Sequence, residues 1–218
     1  MNIEGYGCEQ LCVVVAEGWD THKAKMYCFE KKDSSWNFVF SSPVVIGKKG
    51  MAWGIGLHAP ATPEKREGDM KTPAGIFTFG SVFGKEASPS ILKPYIETHS
   101  ALEAIDDPHS RYYNQIVDAL NVIKDWTSSE SMVHELYKWG IVVEHNACPA
   151  AAHKGSCIFF HLWRSEGEGT AGCTAMQEVN LKELINWLDP EKRPLLIQLP
   201  KEEYVTNAPA WGFPPLSY

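Results

Sequence analysis

The sequence predicts a single, mainly β domain with a few short helices, an α+β arrangement in which the helices are minor. Three observations predict it. Short β-favouring runs alternate with turn signals through residues 1–50. The run "SCIFFHLW" is apolar on both faces, as a central strand covered on both sides would be. Only two later stretches carry helix start and stop signals. At 218 residues with 44% hydrophobic content, the chain can bury one large core, so one domain over 1–218 is expected.

In chain order, "LCVVVAE", "AKMYCFE", the turn "KKDSS", "WNFVFS" and "VVIG" read as an antiparallel meander. Residues 53–79 form a polar stretch rich in glycine and proline that ends in a strand at "GIFTF". Such a long polar loop either carries function or lacks order. Residues 81–128 read as irregular, with prolines at 89, 94 and 108 and the aromatic cluster "RYYNQIV". "SSESMVHELYKWG" has a serine start, early acidic residues, Met132 and Leu136 on one face and Gly140 as a stop, which predicts a short helix. "IVVEH" and "SCIFFHLW" follow as strands. "NLKELINWLDP" reads as a second helix, capped by Asn180 and ended by Pro190, and "PLLIQL" as a late strand. There is no internal repeat and no low-complexity tract.

The net charge of −7 argues against a nucleic-acid partner, which would need a basic face. The early apolar run "LCVVVA" lacks a basic lead, is too short for a signal-peptide core and falls far short of a membrane span, so the chain is expected to be soluble. An export signal already removed would leave no trace. Six cysteines, at 8, 12, 28, 148, 157 and 173, are too few and too irregular for a disulfide scaffold. Cys8, Cys12 and Cys28 read as small buried residues on early strands.

Chemistry concentrates in "CIFFHLWRSEGEGTAGCTAM", residues 157–176. A cysteine nucleophile works as thiolate and needs a neighbour that lowers its pKa. His161 is the best candidate, because a strand followed by a glycine-containing loop can fold back and bring it to Cys173. Gly167, Gly169 and Gly172 ease that return. Small residues at Ala171 and Gly172 leave backbone N–H groups uncovered beside the sulfur, which suits an oxyanion site. A strand histidine and a buried cysteine also coexist in many proteins without touching. Cys157 shares a strand face with His161 but would stand roughly 13 Å away. His145, Cys148, His153 and Cys157 have spacings close to a small zinc knuckle, and a Cys148–Cys157 disulfide is the competing arrangement for an exported protein.

Taken together, "KREGDMKTPAGIFTFG", "DDPHSRYYNQIVD" and "GSCIFFHLWRSEGEGTAGCTAM" resemble the YkuD-type L,D-transpeptidase domain, in the branch whose cysteine motif reads G-C-x-A rather than S-H-G-C-x-R. The resemblance is strongest over 44–199. It implies a β-sandwich or barrel-like fold and an acyl-enzyme on cysteine, with no metal and no organic cofactor. The implied partner is the peptidoglycan stem tetrapeptide, which would place the protein in the periplasm or cell envelope. Carried over by position, Cys173 is the nucleophile and His161 the base, with the Leu162 carbonyl orienting the imidazole and the Gly172 and Cys173 N–H groups holding the oxyanion.

The sequence departs from the common motif at Ala171, where the family has a second histidine, and at Ala175, where it has arginine. Arg164 is expected to take over the substrate carboxylate, with Ala171 beside it; a solvated loop arginine is the other reading. Asp107, Ser110, Tyr112, Tyr113 and Asn114 are candidates for the zwitterionic peptide end, though paired tyrosines serve packing equally well. His58 is a candidate for the groove edge, and Gly68 and Gly75 for a turn that lines the groove or forms a surface hairpin. A water-using L,D-carboxypeptidase, an amidase and a non-catalytic wall-binding module remain as alternatives.

Overall fold

A computed structural model describes residues 6–86 and 93–216, so Pro89 of the irregular stretch lies outside the described residues. β1 (Gln10–Ala16), β2 (Lys23–Lys32) and β3 (Ser35–Val45) form the antiparallel meander. Asp33 and Ser34 turn the second hairpin at φ 49° and 65°, the two-residue geometry whose twist suits the flanking strands. "WNFVFS" and "VVIG" merge into one strand. Pro43 is tolerated there because β3 pairs on its far side only through Val45.

β4 (Met51–Trp53) runs parallel to the start of β5 (Thr72–Gly84), which extends "GIFTF" at both ends. β6 (Tyr95–Glu97) joins the far end of β5. The stretch expected to be irregular also holds β7 (Leu102–Ala104) and β8 (Ile116–Asp118), which with β9 (Glu130–Ser131) make a separate three-stranded sheet.

The first expected helix does not form. Glu130 and Ser131 pair with β7, Met132 N–H donates to Leu102 O, and only a 3₁₀ turn at Glu135–Tyr137 remains. A helix this short is marginal by itself, so strand pairing and burial of Met132 and Tyr137 win the backbone hydrogen bonds.

β10 (Trp139–Val143), β11 (Phe159–Leu162) and β12 (Thr174–Met176) follow, then α1 (Glu178–Trp187), β13 (Leu195–Pro200) and α2 (Lys201–Asn207). α1 starts two residues before the expected cap. Gln177 takes the cap position without a side-chain bond, and Asn180 lies inside the helix, donating to Ser42 Oγ at 2.7 Å.

The main sheet runs β10–β11–β12–β3–β2–β1–β13–β5 and closes like a barrel because β5 also pairs with β10. This is the mainly β, barrel-like domain predicted. β11 is central, and its two apolar faces enter different cores. Phe160 belongs to the large core of β1, β5 and β13, whereas Phe159 packs with Phe83, Tyr137, Cys157 and Cys173. His161 shares the face of Phe159. Among the described residues no helix is long and apolar enough to cross a membrane.

Candidate active site

β11 and β12 run parallel, with His161 opposite Ala175. Alternation therefore puts His161 on the face to which Cys173, two residues before Ala175, also points. Tyr137 packs beside both. Its ring meets the His161 imidazole at 5.4 Å and 74°, meets Phe159 at 5.7 Å, and packs in the same small core as Cys173. The Tyr137 hydroxyl donates to Glu130 Oε2 at 2.5 Å.

His161 Nδ1 lies 2.7 Å from Leu162 O. A carbonyl only accepts, so Nδ1 carries the proton and Nε2 keeps its lone pair. Burial pushes the imidazole down to about 4. Cys173 is 8% exposed; burial, with the Glu130 charge adding to it, pushes its thiol up to about 12. The sulfur accepts from Phe159 N–H at 3.3 Å, and its own hydrogen is directed to Cys157 O at 3.5 Å. The thiolate activation expected from sequence is thus absent at rest. Both groups are neutral, because in so dry a site desolvation of a charge outweighs what one neighbour returns.

The loop before Cys173 is pinned by two threonines. Thr170 Oγ1 donates to Cys173 O at 2.6 Å and accepts from Gly172 N–H at 3.1 Å. That N–H, expected to face an oxyanion, is therefore taken. Thr72 Oγ1 donates to Gly172 O at 2.7 Å and accepts from Gly47 N–H at 2.8 Å. Lys71 O comes so near Gly172 that a Cβ there would stand 3.1 Å from it, which favours glycine at this position.

A cavity of about 850 Å³ opens beside His161; Cys173 and Gly172 lie behind its wall and do not line it. His161, Ala171 and Ala175 line it together with Glu130, His134, Tyr137, Lys48 and Arg164. Arg164 is exposed and paired with Glu168 at 3.0 Å. Ala175 is fully buried and puts no charge where the common motif has arginine.

The other sequence candidates lie elsewhere, and none lines this cavity. Tyr113 is buried, with its hydroxyl on Glu67 at 2.5 Å, and Tyr112 packs edge-on against Trp126. Ser110 donates to Asp125, and Asp107 accepts from the Thr127 N–H and hydroxyl. Asn114, at φ 64°, donates to the carbonyls of His145 and Asn146 and accepts from Cys157 N–H at 2.8 Å, so it ties the segment before β11 in place. The polar groups of Asp107, Ser110, Tyr113 and Asn114 are thus hydrogen-bonded within the protein.

His58 accepts from Ile76 N–H at 3.1 Å and lines a second cavity of about 310 Å³ with Trp53, Lys65 and Lys154. Its ring occupies the space where a Gly75 Cβ would be, 1.9 Å from Cε1. Around Gly68, Asp69 gathers the Arg66 and Lys71 N–H groups and the Lys65 ammonium, so this turn is internally satisfied.

The zinc knuckle does not assemble. The His145 ring nitrogens contact Ile55 N–H and Lys154 O, Cys148 is exposed, and no group of three or more metal-ligating side chains is found among the described residues. Cys148 and Cys157 are both free.

Sequence reasoning missed Tyr137, Glu130, Thr72 and Thr170. The first two were hidden in the supposed helix. A signal for Thr170 was present, since a hydroxyl two residues before a loop N–H commonly caps it.

Among curated proteins no match is found. Among solved structures, Bd1075 of Bdellovibrio bacteriovorus is similar at 13% identity with a TM-score of 0.45. The alignment covers 88% of this chain and 48% of that one, so the chain spans about half the length of this relative. The sequence profile of the YkuD family, the L,D-transpeptidase catalytic domain, matches residues 19–197, taking in β2 to β12, the paired threonines and the loop between His161 and Cys173. A match over that much of its length makes this chain a member of the YkuD L,D-transpeptidase catalytic domain family.

Proposed function

We propose that the protein is a cysteine-dependent L,D-transpeptidase of bacterial peptidoglycan, acting on stem tetrapeptides in the periplasm or cell envelope. The observation that carries the reading is the His161 tautomer. With Nδ1–H held by Leu162 O, Nε2 keeps its lone pair on a ring that lines a cavity of about 850 Å³ and lies on the same side of the sheet as Cys173.

The reaction starts from neutral thiol and neutral imidazole. The Cys173 S–H rotates from Cys157 O toward His161, and Nε2 takes the proton as sulfur attacks the carbonyl of the residue before the terminal D-Ala, in the stem peptide a diamino acid. The Cys173 N–H stabilises the resulting oxyanion, joined by the Gly172 N–H once Thr170 releases it. Collapse breaks the bond to the terminal D-Ala, whose nitrogen takes the proton from His161, and leaves a thioester. An amine of a second stem then attacks the thioester; its proton passes to His161 and on to the sulfur, which restores the thiol. No step needs a metal or organic cofactor.

Water in place of the amine would make the protein a carboxypeptidase on the same site. A wall-binding module with a structural cysteine is the reading favoured by the resting S–H contact to Cys157 O. Mass spectrometry of a disaccharide-tetrapeptide incubated with wild type and Cys173→Ala separates them. Release of D-Ala by the wild type alone supports the thiol enzyme, with dimer marking transfer and tripeptide alone marking hydrolysis. An unchanged substrate with both proteins sinks the reading.

A further inference from the structure

We infer that Glu130 is the specificity residue of the cavity, binding a free ammonium group on the peptide held against His161; this rests on the peptide-processing reading above. Glu130 and His161 line the same cavity. Tyr137 links them, with its ring on the imidazole and its hydroxyl on the Glu130 carboxylate, so the carboxylate stands at a defined place relative to His161. Tyr137 satisfies only part of what a carboxylate accepts.

The charge of Glu130 is left without a protein partner. Among the described residues it makes no ion pair, whereas Glu168 in the same cavity is matched by Arg164. Burial first of all raises its pKa and the Tyr137 hydrogen bond lowers it; of the charges around it, Asp106 and Glu67 raise it further and the His134 imidazole lowers it. Asp106 Oδ1 is itself buried without a hydrogen-bond partner. A carboxylate in such surroundings is stabilised by a cation arriving from outside. No set of three metal-ligating side chains surrounds it among the described residues, and one carboxylate beside one tyrosine hydroxyl suits an alkylammonium, which a single charge-assisted hydrogen bond can hold. Glu130 is therefore the residue that reads the side-chain amine of the stem peptide in the proposed reaction.

The test uses two tetrapeptides that differ only in whether that amine is free or acetylated. Binding is measured by calorimetry on Cys173→Ala, where no turnover interferes. The free-amine peptide is expected to bind about tenfold to a hundredfold tighter, the range of one charge-assisted contact. Adding Glu130→Gln keeps an acceptor for Tyr137 and should bring the two peptides to within about twofold, while Glu130→Asp restores part of the preference. A merely structural Glu130 would weaken both peptides alike. Equal binding of the two peptides to Cys173→Ala, or a preference that survives Glu130→Gln, overturns the assignment. Amine-dependent binding that disappears in Glu130→Gln, with no D-Ala released by wild type, would overturn the transfer reaction and leave the Glu130 contact standing.

Discussion

The Tyr137 ring stands edge-on to the His161 imidazole, centroids 5.4 Å apart at 74°. This contact joins the candidate base to the three-stranded sheet, because the Tyr137 hydroxyl is bound to Glu130 at the end of that sheet. A residue that packs on the base, lies beside the thiol and holds a carboxylate couples stability to chemistry.

Tyr137→Ala should therefore be costly in two ways. Losing a buried aromatic ring removes about 3–5 kcal/mol of stability, and the imidazole loses a wall. Tyr137→Phe keeps the ring and leaves Glu130 without its donor, at about 1–3 kcal/mol. Urea unfolding of both variants checks the order, and an alanine variant as stable as wild type would show that the ring does not pack as described.

Acid should destabilise the fold through two buried histidines. His161 and His145 are each pushed down to about 4 from 6.5 by burial. Between those values the unfolded chain binds protons that the folded chain does not. Their contribution is thus complete above pH 6.5 and is lost as pH falls toward 4, by about 3 kcal/mol per group at the limit. Urea midpoints measured near neutrality and near pH 4.5 should differ; a pH-independent midpoint would contradict the burial of both rings.

The same depression sets the acid limb of activity. His161 accepts a proton only when neutral, so kcat/KM should hold down to about pH 5 and fall as the imidazole protonates near 4. A limb near the ordinary imidazole value would mean that His161 is solvated in the working enzyme.

Thiol labelling should report burial rather than activation. Cys173 is pushed up to about 12 and is 8% exposed, whereas Cys148 is exposed, so iodoacetamide near neutral pH should label Cys148 first. Peptide mapping of the labelled protein decides the order. Fast labelling of Cys173 at mildly acidic pH would show that an ion pair with His161 forms in solution.

Thr72→Val keeps shape and removes the hydroxyl that joins Gly47 N–H to Gly172 O. It should cost roughly 1–3 kcal/mol and lower kcat more than it raises KM, since the loop carrying Cys173 loses a tether while the cavity walls stay. Unchanged kcat in the folded variant would separate that tether from the chemistry.

Much of the fold was legible because its signals are local. The meander follows from alternating runs and a turn at Asp33 and Ser34, and β11 announced itself by having two apolar faces. The helix expected over 128–140 failed for the opposite reason: Glu130 and Ser131 pair with residues 103 and 104, and no local pattern encodes that competition. At the site, the motifs point to Cys173 and His161 but say nothing of Tyr137. The polar run at Ser110–Asn114 invites a binding reading that its internal hydrogen bonds do not favour.

By itself the sequence determined the β-rich class, the opening meander, β11 and the late strand β13, and the strand and loop that carry His161 and Cys173, since hydrophobic alternation, turn residues and motif spacing act over a few neighbours. Only the tertiary structure decided the protonation of the pair, the partners of its protons and the carboxylate that faces the cavity. Those depend on desolvation and on contacts between segments far apart in the chain, such as Thr72 with Gly172 across 100 residues and Glu67 with Tyr113 across 46, and burial of a charge is a property of the whole packed core.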